Sequence, residues 1–380
     1  MDGVILTKPA RYNIEDTNIA LLGSDLEKNV REHAGDKEAA WENAGKEPGL
    51  QIWRIEKFKV VEWPKERYGY FYDGDAYIVL YTFKLDSNSE ELFYNLHFWI
   101  GQDSSQDEAA TAAYKTVELD DHLHGLPVQY REVQGYESAV FLSYFPRFIS
   151  LHGGISTGFH HVSSPPPDET KRLYRVTSLG NRLIIREVPL DGSSLIPGDA
   201  YVLDMGTKVW QLNTKGSVGK ERFKAAEFVR QLVEERGSSP EVTVFDEGGQ
   251  GLGIFLAALG LESMPESTES QPDQPRTLYR ISDATGDLAF SPVESKPSSL
   301  TSSDAFLLDD SANKADPAVY AWIGKEASLQ ESRLTIQYAQ SYLYITENKT
   351  RSRVAVSLVK MREGRETEGF KQALSAMVDQ

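Results

Sequence analysis

The chain has no cysteine among its 380 residues, which excludes disulfide bonds and thiolate chemistry. It also lacks any apolar run near the ~18 residues that a membrane-spanning helix requires. Its first residues, MDGVILTKPARYN, lack the basic start and the long apolar core of a signal peptide. These absences favour a cytoplasmic protein that does not span a membrane.

Positive charge is scarce relative to negative charge. The 40 lysines and arginines are outnumbered by 57 aspartates and glutamates, which leaves a net charge of −17. A surface of this sign argues against nucleic-acid binding, because neutralising phosphates requires basic residues. It suits a protein that holds divalent cations.

The chain does contain a short motif at residues 68–81, YGYFYDGDAYIVLY. Its centre, Gly74 and Asp75, precedes the apolar run 76–80. A short run rich in aromatic and β-branched residues after a glycine turn is typical of a buried central strand. Asp75 is therefore predicted at the mouth of that strand, where its carboxylate can face solvent or an ion. Taken alone, it has the ordinary interpretation of a turn cap.

The motif occurs three times along the chain. Each copy has an acid-led strand, a second strand with a tryptophan, and a glutamate near the start of a helical pattern. The acids are Asp75, Asp199 and Asp304, the tryptophans are Trp99, Trp210 and Trp322, and the glutamates are Glu108, Glu221 and Glu331. An internal repeat of this kind sets the architecture. We expect an N-terminal extension at 1–48 and three domains at 49–162, 170–262 and 277–380.

The first repeat contains a predicted helix that begins near Gln106. Its core-facing stripe is predicted to comprise Ala109, Ala112, Ala113 and Val117. Tyr114 and Lys115 are then left on the outward face.

The second repeat opens with the one concentrated positive patch of this acidic chain. The basic residues alternate with apolar residues over a predicted pair of strands. They are Lys171, Arg172, Arg175, Arg182 and Arg186.

The repeated carboxylates suggest a metal. In each repeat the aspartate at the strand mouth could meet the glutamate of the helix that packs on the sheet, and two such carboxylates repel unless a cation neutralises both. Oxygen ligands in flexible geometry favour calcium over magnesium or zinc. The alternative is that each glutamate caps its helix and each aspartate caps its turn.

With these motifs the chain resembles the gelsolin and villin family, in particular its three-domain members of the severin and fragmin kind. The most specific segments are Ser105-Gln106-Asp107-Glu108, the run LDDHLHGLPVQYREVQGYES at 119–138, and the glycines from Gly153 to Gly158 with Phe159. The resemblance implies an α+β fold of three tandem gelsolin-like domains. Each domain would have a central mixed β-sheet flanked by a long and a short helix.

The resemblance also implies calcium ligands. In the first repeat they are Gly74, Asp75, Glu108 and Ile155, and a second ion shared with actin would use Asp120, Gly125 and Pro127. The corresponding positions are Gly198, Asp199 and Glu221 in the second repeat, and Ser303, Asp304 and Glu331 in the third.

The function implied is that of a monomeric, calcium-activated protein that severs actin filaments and caps their barbed ends, with nucleation left open. Tyr114 and Phe159 would contact actin in a helix-in-groove mode, and Arg182 and Arg186 would contact the filament side. Lys171, Arg172, Arg175 and Arg182 correspond to the family's phosphoinositide surface. Two alternatives stay open: capping without severing, and a phosphoinositide-regulated actin adaptor.

An enzyme is the remaining rival. Asp120, Asp121, His122 and His124, with His160 and His161, could form a metal-hydrolase cluster. Adjacent histidines in loops are usually solvated, and the sequence supplies neither a nucleophile nor an orienting partner. We therefore expect no enzymatic activity.

Overall fold

The computed structural model describes residues 38–154, 171–236, 240–265, 276–282, 289–294, 296–313, 316–328, 335, 339, 342 and 356–376. The described residues fall into two compact units. The first unit is drawn from Met1–Lys65, Asp75–Ser138 and Pro272–Gln380, and the second from Glu66–Gly74 and Ala139–Gln271.

The first repeat supplies seven of the described strands and two helices. The strands are β1 (Gly49–Glu56), β2 (Lys59–Glu62), β3 (Tyr70–Tyr72), β4 (Ala76–Phe83), β5 (Phe93–Ile100), β6 (Val128–Val133) and β7 (Arg147–Leu151), and the helices are α1 (Gln106–His122) and α2 (Ala139–Ser143). Strand β4 is the predicted central strand, and its residues 76–80 are fully buried.

The second and third repeats reuse this plan. The second contains β8 (Arg172–Leu179), β9 (Arg182–Val188), β10 (Ala200–Asp204), β11 (Lys208–Asn213) and β12 (Glu241–Asp246), with helices α3 (Gly219–Arg236) and α4 (Leu252–Ala258). The third contains β13 (Thr277–Ser282), β14 (Ala289–Val293), β15 (Ala305–Asp310), β16 (Ala318–Ile323) and β17 (Ser357–Arg362), with helix α5 (Glu368–Ser375). Short 3₁₀ turns lie at Ala39–Trp41, Lys65–Arg67, Gly192–Ser194 and Pro297–Ser299.

Each repeat builds the same five-stranded mixed sheet. In the first repeat the order is β2-β1-β4-β5-β6; it is β9-β8-β10-β11-β12 in the second and β14-β13-β15-β16-β17 in the third. The last pair of every set is parallel and the other pairs are antiparallel. The three tryptophan strands predicted from sequence are β5, β11 and β16. The α+β class with three repeated mixed sheets is therefore confirmed.

Within the first unit, two of these sheets join edge to edge. Strand β6 pairs antiparallel with β17, with Tyr130 opposite Val359 and Gln129 opposite Lys360. The result is one sheet of ten strands. Pairing removes one exposed edge from each sheet, since each strand satisfies the other's backbone groups.

Within the second unit, the sheet of the second repeat is extended at the β9 edge. Strand β7 pairs parallel with β9, and β3 pairs parallel with β7, which gives seven strands. Phe71, Phe141, Phe145 and Phe148 pack together there, with ring centroids 5.3–6.0 Å apart. These aromatic contacts form a core for the added strands.

Helix α1 begins as predicted, but its buried face differs from the prediction. Ala109 and Ala112 are buried, whereas Val117 is 48% exposed and Lys115 is only 4% exposed. The buried stripe continues instead through residues 116, 119 and 123. The assignment of Val117 to the core and of Lys115 to the outward face was wrong. A stripe at alternating spacings of three and four residues leaves position 117 on the other side of the helix.

Lys115 tolerates burial because two carboxylates surround its ammonium group. Its Nζ lies 2.9 Å from Glu38 and 3.0 Å from Glu118. Burial lowers the pKa of Lys115, but the hydrogen bonds to the two glutamates outweigh burial and raise it overall. Residues 38–48 of the predicted extension thus contribute to the first unit, where Trp41 also packs edge-on against Trp53 at 5.1 Å.

Candidate metal centres

The acid of each repeat has its backbone fixed in the same way. Asp75, Asp199 and Asp304 directly precede β4, β10 and β15, and each carbonyl accepts a hydrogen bond from the residue that follows the tryptophan strand. The bonds run from Gly101 N to Asp75 O (3.0 Å), from Thr214 N to Asp199 O (3.2 Å) and from Gly324 N to Asp304 O (3.0 Å). These hydrogen bonds hold each acid at the same place at the start of its strand.

The residue before each acid is small, and two of these positions require glycine. A Cβ on Gly74 would lie 2.6 Å from the Gly153 carbonyl oxygen, to which Gly74 donates its own N–H at 2.7 Å. Gly198 has a φ of 103°, which side-chain-bearing residues rarely adopt. In the third repeat the Ser303 hydroxyl donates to Asp304 at 3.0 Å.

An arginine contacts each of these carboxylates, and this pairing was not predicted from the sequence. Arg54 Nη1 lies 3.4 Å from Asp75 Oδ2, Arg175 Nε lies 2.6 Å from Asp199 Oδ2, and Arg280 Nη2 lies 2.8 Å from Asp304 Oδ2. These arginines can be recognised in the sequence, because the first strand of every repeat has an arginine between an aromatic and a β-branched residue. The three tripeptides are Trp-Arg-Ile, Tyr-Arg-Val and Tyr-Arg-Ile.

The helical glutamates bind the N-termini of their own helices. Glu108 accepts hydrogen bonds from the backbone and hydroxyl of Ser105 at 3.2 and 3.0 Å, while Ser105 caps the helix in return. Glu221 accepts from the backbone of Val218 at 3.3 Å. Both glutamates therefore fill the capping role that was the alternative interpretation. Glu331 and Ile155 lie outside the described residues.

Calcium fits the donor set. Asp75 is fully buried, and the side chains of Asp199 and Asp304 are only 15% and 5% exposed, so each carboxylate requires a cationic partner; the neighbouring arginine fills this role in the structure, and a calcium ion would take its place. Hydroxyl groups adjoin two of these carboxylates, since Tyr77 Oη lies 3.1 Å from Asp75 Oδ2 and Thr301 Oγ1 lies 2.6 Å from Asp304 Oδ2. No cysteine or histidine adjoins the three acids in the sequence, so oxygen, the ligand atom that calcium prefers, predominates around them. At Asp304 burial raises the pKa, but hydrogen bonds from Thr301 and Arg280 outweigh burial and lower it. The Asp304 carboxylate is therefore stabilised in its ionised form by groups that already contact it.

The second predicted site lies at the end of α1. Asp120 is buried, its carbonyl accepts the Gly125 N–H at 2.8 Å, and Gly125 has a φ of 69°. One carboxylate oxygen of Asp120, Oδ1, has no hydrogen-bond donor among the described residues, and the other lies 3.8 Å from Lys360 Nζ. Burial raises the pKa of Asp120, partly offset by the charge of Lys360. Pro127 is buried beside this turn.

The basic residues of the second repeat lie on the β8–β9 hairpin, as predicted, but several are engaged in contacts. Arg175 pairs with Asp199, and Arg172 lies 3.8 Å from Glu187. Arg186 packs over the ring of Phe148 at 5.8 Å. Lys171 is exposed and Arg182 is half-buried. The patch therefore offers fewer free charges than the sequence indicates.

The structure describes only some of the residues predicted to contact actin or to form a hydrolase cluster. Tyr114 is half-buried on α1, and Phe159 lies outside the described residues. Of the proposed hydrolase cluster, Asp121, His122 and His124 are exposed, whereas His160 and His161 also lie outside the described residues.

Across the part of the chain that the structure describes, no helix combines the length and apolarity needed to cross a membrane.

Comparison with known proteins agrees with the repeated fold. The gelsolin repeat profile matches residues 57–142, 184–251 and 288–371. The chain is 39% identical to gelsolin-like protein 2 of Lumbricus terrestris over 98% of this chain and 99% of that protein. It is 32% identical to severin of Echinococcus granulosus over 90% of this chain and 93% of that protein. It is 36% identical to gelsolin of Gallus gallus over 80% of this chain and 40% of that protein.

The fold and the comparisons define a protein of three gelsolin repeats. The chain belongs to the gelsolin family, and it covers its severin relative almost from end to end. The resemblance inferred from the sequence is thereby confirmed.

Proposed function

We propose that the protein is a calcium-activated, cytoplasmic actin-binding protein that severs actin filaments and caps their barbed ends. The observation that carries this proposal is the threefold placement of an aspartate at the mouth of a central strand, in a chain that matches severin over 90% of its length. Bound calcium would compete with the arginine that pairs with each of these carboxylates. The protein is proposed to act as a monomer.

The proposed calcium ligands divide by repeat. Gly74, Asp75, Glu108 and Ile155 would hold one ion in the first repeat, and Asp120, Gly125 and Pro127 would hold a second ion shared with actin. Gly198, Asp199 and Glu221 serve the second repeat, and Ser303, Asp304 and Glu331 the third. Glu108 and Glu221 would have to exchange their helix caps for the ion, which couples binding to a rearrangement of the helix start.

Contacts within the first unit support the proposal that the protein is inactive until calcium binds. Strand β17 of the third repeat covers β6, and Lys360 approaches Asp120, one of the proposed ligands. Arg365 reinforces the joint, because it lies 3.0 Å from Glu91 and 4.4 Å above the Phe93 ring. The end of α1 is thus occupied by the third repeat. Actin contact through Tyr114 and the Asp120 site would require this joint to open.

The basic β8–β9 hairpin is proposed to contact actin and to bind acidic phosphoinositides. Arg182 and Arg186 would contact the filament side, and Lys171, Arg172, Arg175 and Arg182 would bind phosphoinositides. The ion pairs of Arg172 and Arg175 reduce the charge available to a lipid headgroup.

Single fluorescent actin filaments test the function directly. The protein is added in calcium and then in a chelator, while breaks along filaments and growth at their ends are recorded. Breaks only in calcium support severing. Stopped barbed-end growth without breaks would replace it by capping alone, and no effect in either condition would refute both severing and capping.

A further inference from the structure

The arginine that contacts each acid occupies the same position in all three sheets. Arg54 lies opposite Tyr77 in the β1–β4 pairing, Arg175 opposite Tyr201 in β8–β10, and Arg280 opposite Phe306 in β13–β15. In every repeat the opposed residue is two positions after the acid. Residues two apart in a strand share a face of the sheet, so each arginine extends diagonally to the carboxylate.

The three pairs differ in how freely the arginine can move. The side chain of Arg54 is 4% exposed, that of Arg175 is 31% exposed and that of Arg280 is 46% exposed. Arg54 is held further by Glu56, whose Oε1 accepts a hydrogen bond from Nε at 2.9 Å, and by Trp63, whose ring lies 4.8 Å away. Arg280 can turn into water, whereas Arg54 is fixed beside Asp75.

A guanidinium and a divalent cation compete for the same carboxylate. A neighbouring arginine lowers the proton affinity of an aspartate by about 1–3 pKa units, that is, about tenfold or more. A calcium ion carries twice the charge of a proton and is repelled more strongly at the same distance. An arginine that can leave the site removes this repulsion, whereas a fixed one retains it.

We propose that Arg54, Arg175 and Arg280 are the resident counter-ions of the calcium carboxylates and set the calcium affinity of their repeats, with the strongest effect at the fixed Arg54. This inference rests on the proposed function only in that Asp75, Asp199 and Asp304 bind calcium. The calcium concentration at which each repeat binds its ion would then be set by an arginine that is not itself a calcium ligand.

Calcium binding to the full-length chain, measured by titration calorimetry, tests the proposal. Arg54→Gln is expected to tighten one site by about tenfold or more, in line with the effect of an arginine on a neighbouring carboxylate. Arg280→Gln is expected to tighten one site to a smaller extent. Arg54→Lys retains the charge and serves as the matched control, and Arg230→Gln on α3, whose side chain is 73% exposed, controls for the change in net charge.

A second measurement separates this inference from the function on which it rests. Melting in a chelator should occur at a lower temperature for Arg54→Gln than for the unaltered protein, while calcium should raise the melting temperature of the variant more. If Asp75→Asn removes no calcium site, the proposed ligand is wrong. If Asp75→Asn removes a site but neither Arg54→Gln nor Arg280→Gln tightens one, the counter-ion inference alone is overturned. Arg280→Gln, at a half-exposed position, keeps the test available if Arg54→Gln does not fold.

Discussion

Lys360 Nζ lies 3.8 Å from Asp120 Oδ2, and this contact links the third repeat to the end of helix α1 in the first. Burial lowers the pKa of Lys360, partly offset by the charge of Asp120. The side chains are only 15% and 8% exposed. Each charge is therefore the main compensation for burying the other. An ion that binds the Asp120 carboxylate would leave the Lys360 ammonium group buried without its partner.

Lys360→Gln should open the joint between β6 and β17 more easily. Removing one partner of a buried ion pair costs about 3–5 kcal/mol, because the other charge stays buried without compensation. We expect the radius of gyration, measured by small-angle X-ray scattering, to increase at a lower calcium concentration than in the unaltered protein. Lys371→Gln is the control, since Lys371 pairs with Glu368 on the exposed face of α5. An unchanged calcium midpoint in Lys360→Gln would contradict the role given to this contact.

Gly74→Ala should destabilise the second unit even without calcium. The added Cβ would lie 2.6 Å from the Gly153 carbonyl oxygen, so the backbone must shift, at a cost of about 1–3 kcal/mol. Urea unfolding in a chelator measures this cost. Gly219→Ala is the matched control, because nothing lies within 4 Å of a Cβ at Gly219. Equal losses in both variants would show that the close approach to Gly153 is not the cause.

Ser105→Ala should loosen the start of α1. Its hydroxyl accepts the Glu108 N–H at 3.2 Å, and loss of an N-cap of this kind costs about 1 kcal/mol. Hydrogen exchange of the first-turn amides should become faster, while that of the last turn should stay unchanged. Ser87→Ala, at an exposed loop position, is the control. A slower or equal rate in Ser105→Ala would argue that Glu108 does not depend on the capping box for its position.

The repeated strands could be predicted because their signals are local. Asp75, Asp199 and Asp304 precede short apolar runs, and a run of that length, rich in β-branched and aromatic residues and bounded by turn residues, indicates a buried strand from local sequence alone. The same holds for the start of α1, where Ser105 and Glu108 have capping-box spacing.

The features that sequence reasoning missed depend on distant partners. Lys115 is buried because Glu38, 77 residues before it by the numbering, joins Glu118 at its ammonium group. The contact of Arg54 with Asp75 appears only once the register of β1 on β4 is known. Lys360 meets Asp120 through a pairing of β6 with β17, and no local pattern specifies which sheet edges join.

A buried histidine gives the first repeat a defined pH dependence. His97 is fully buried on β5, its Nδ1 lies 2.8 Å from Glu132 Oε1, and its ring stacks on Tyr130 at 4.2 Å. Burial lowers the pKa of His97, and the interaction with Glu132 offsets this only in part. The unfolded chain, where histidine has a pKa of about 6.5, therefore binds the proton more readily than the folded protein.

Acid therefore destabilises the folded first repeat through His97. The contribution of His97 to stability is complete above pH ~6.5 and is lost as the pH falls from there toward the lower pKa of the folded state. At one pH unit below the unfolded value the loss reaches at most about 1.4 kcal/mol, a tenfold change in the opening equilibrium. Hydrogen exchange of the β5 amides, corrected for intrinsic rates, should show this loss between pH 7.5 and 5.5. His97→Gln should be less stable at pH 7.5 but should lack this part of the pH dependence, whereas His122→Gln at the exposed end of α1 should retain it. If His97→Gln kept the full dependence, the proton uptake would belong to another group.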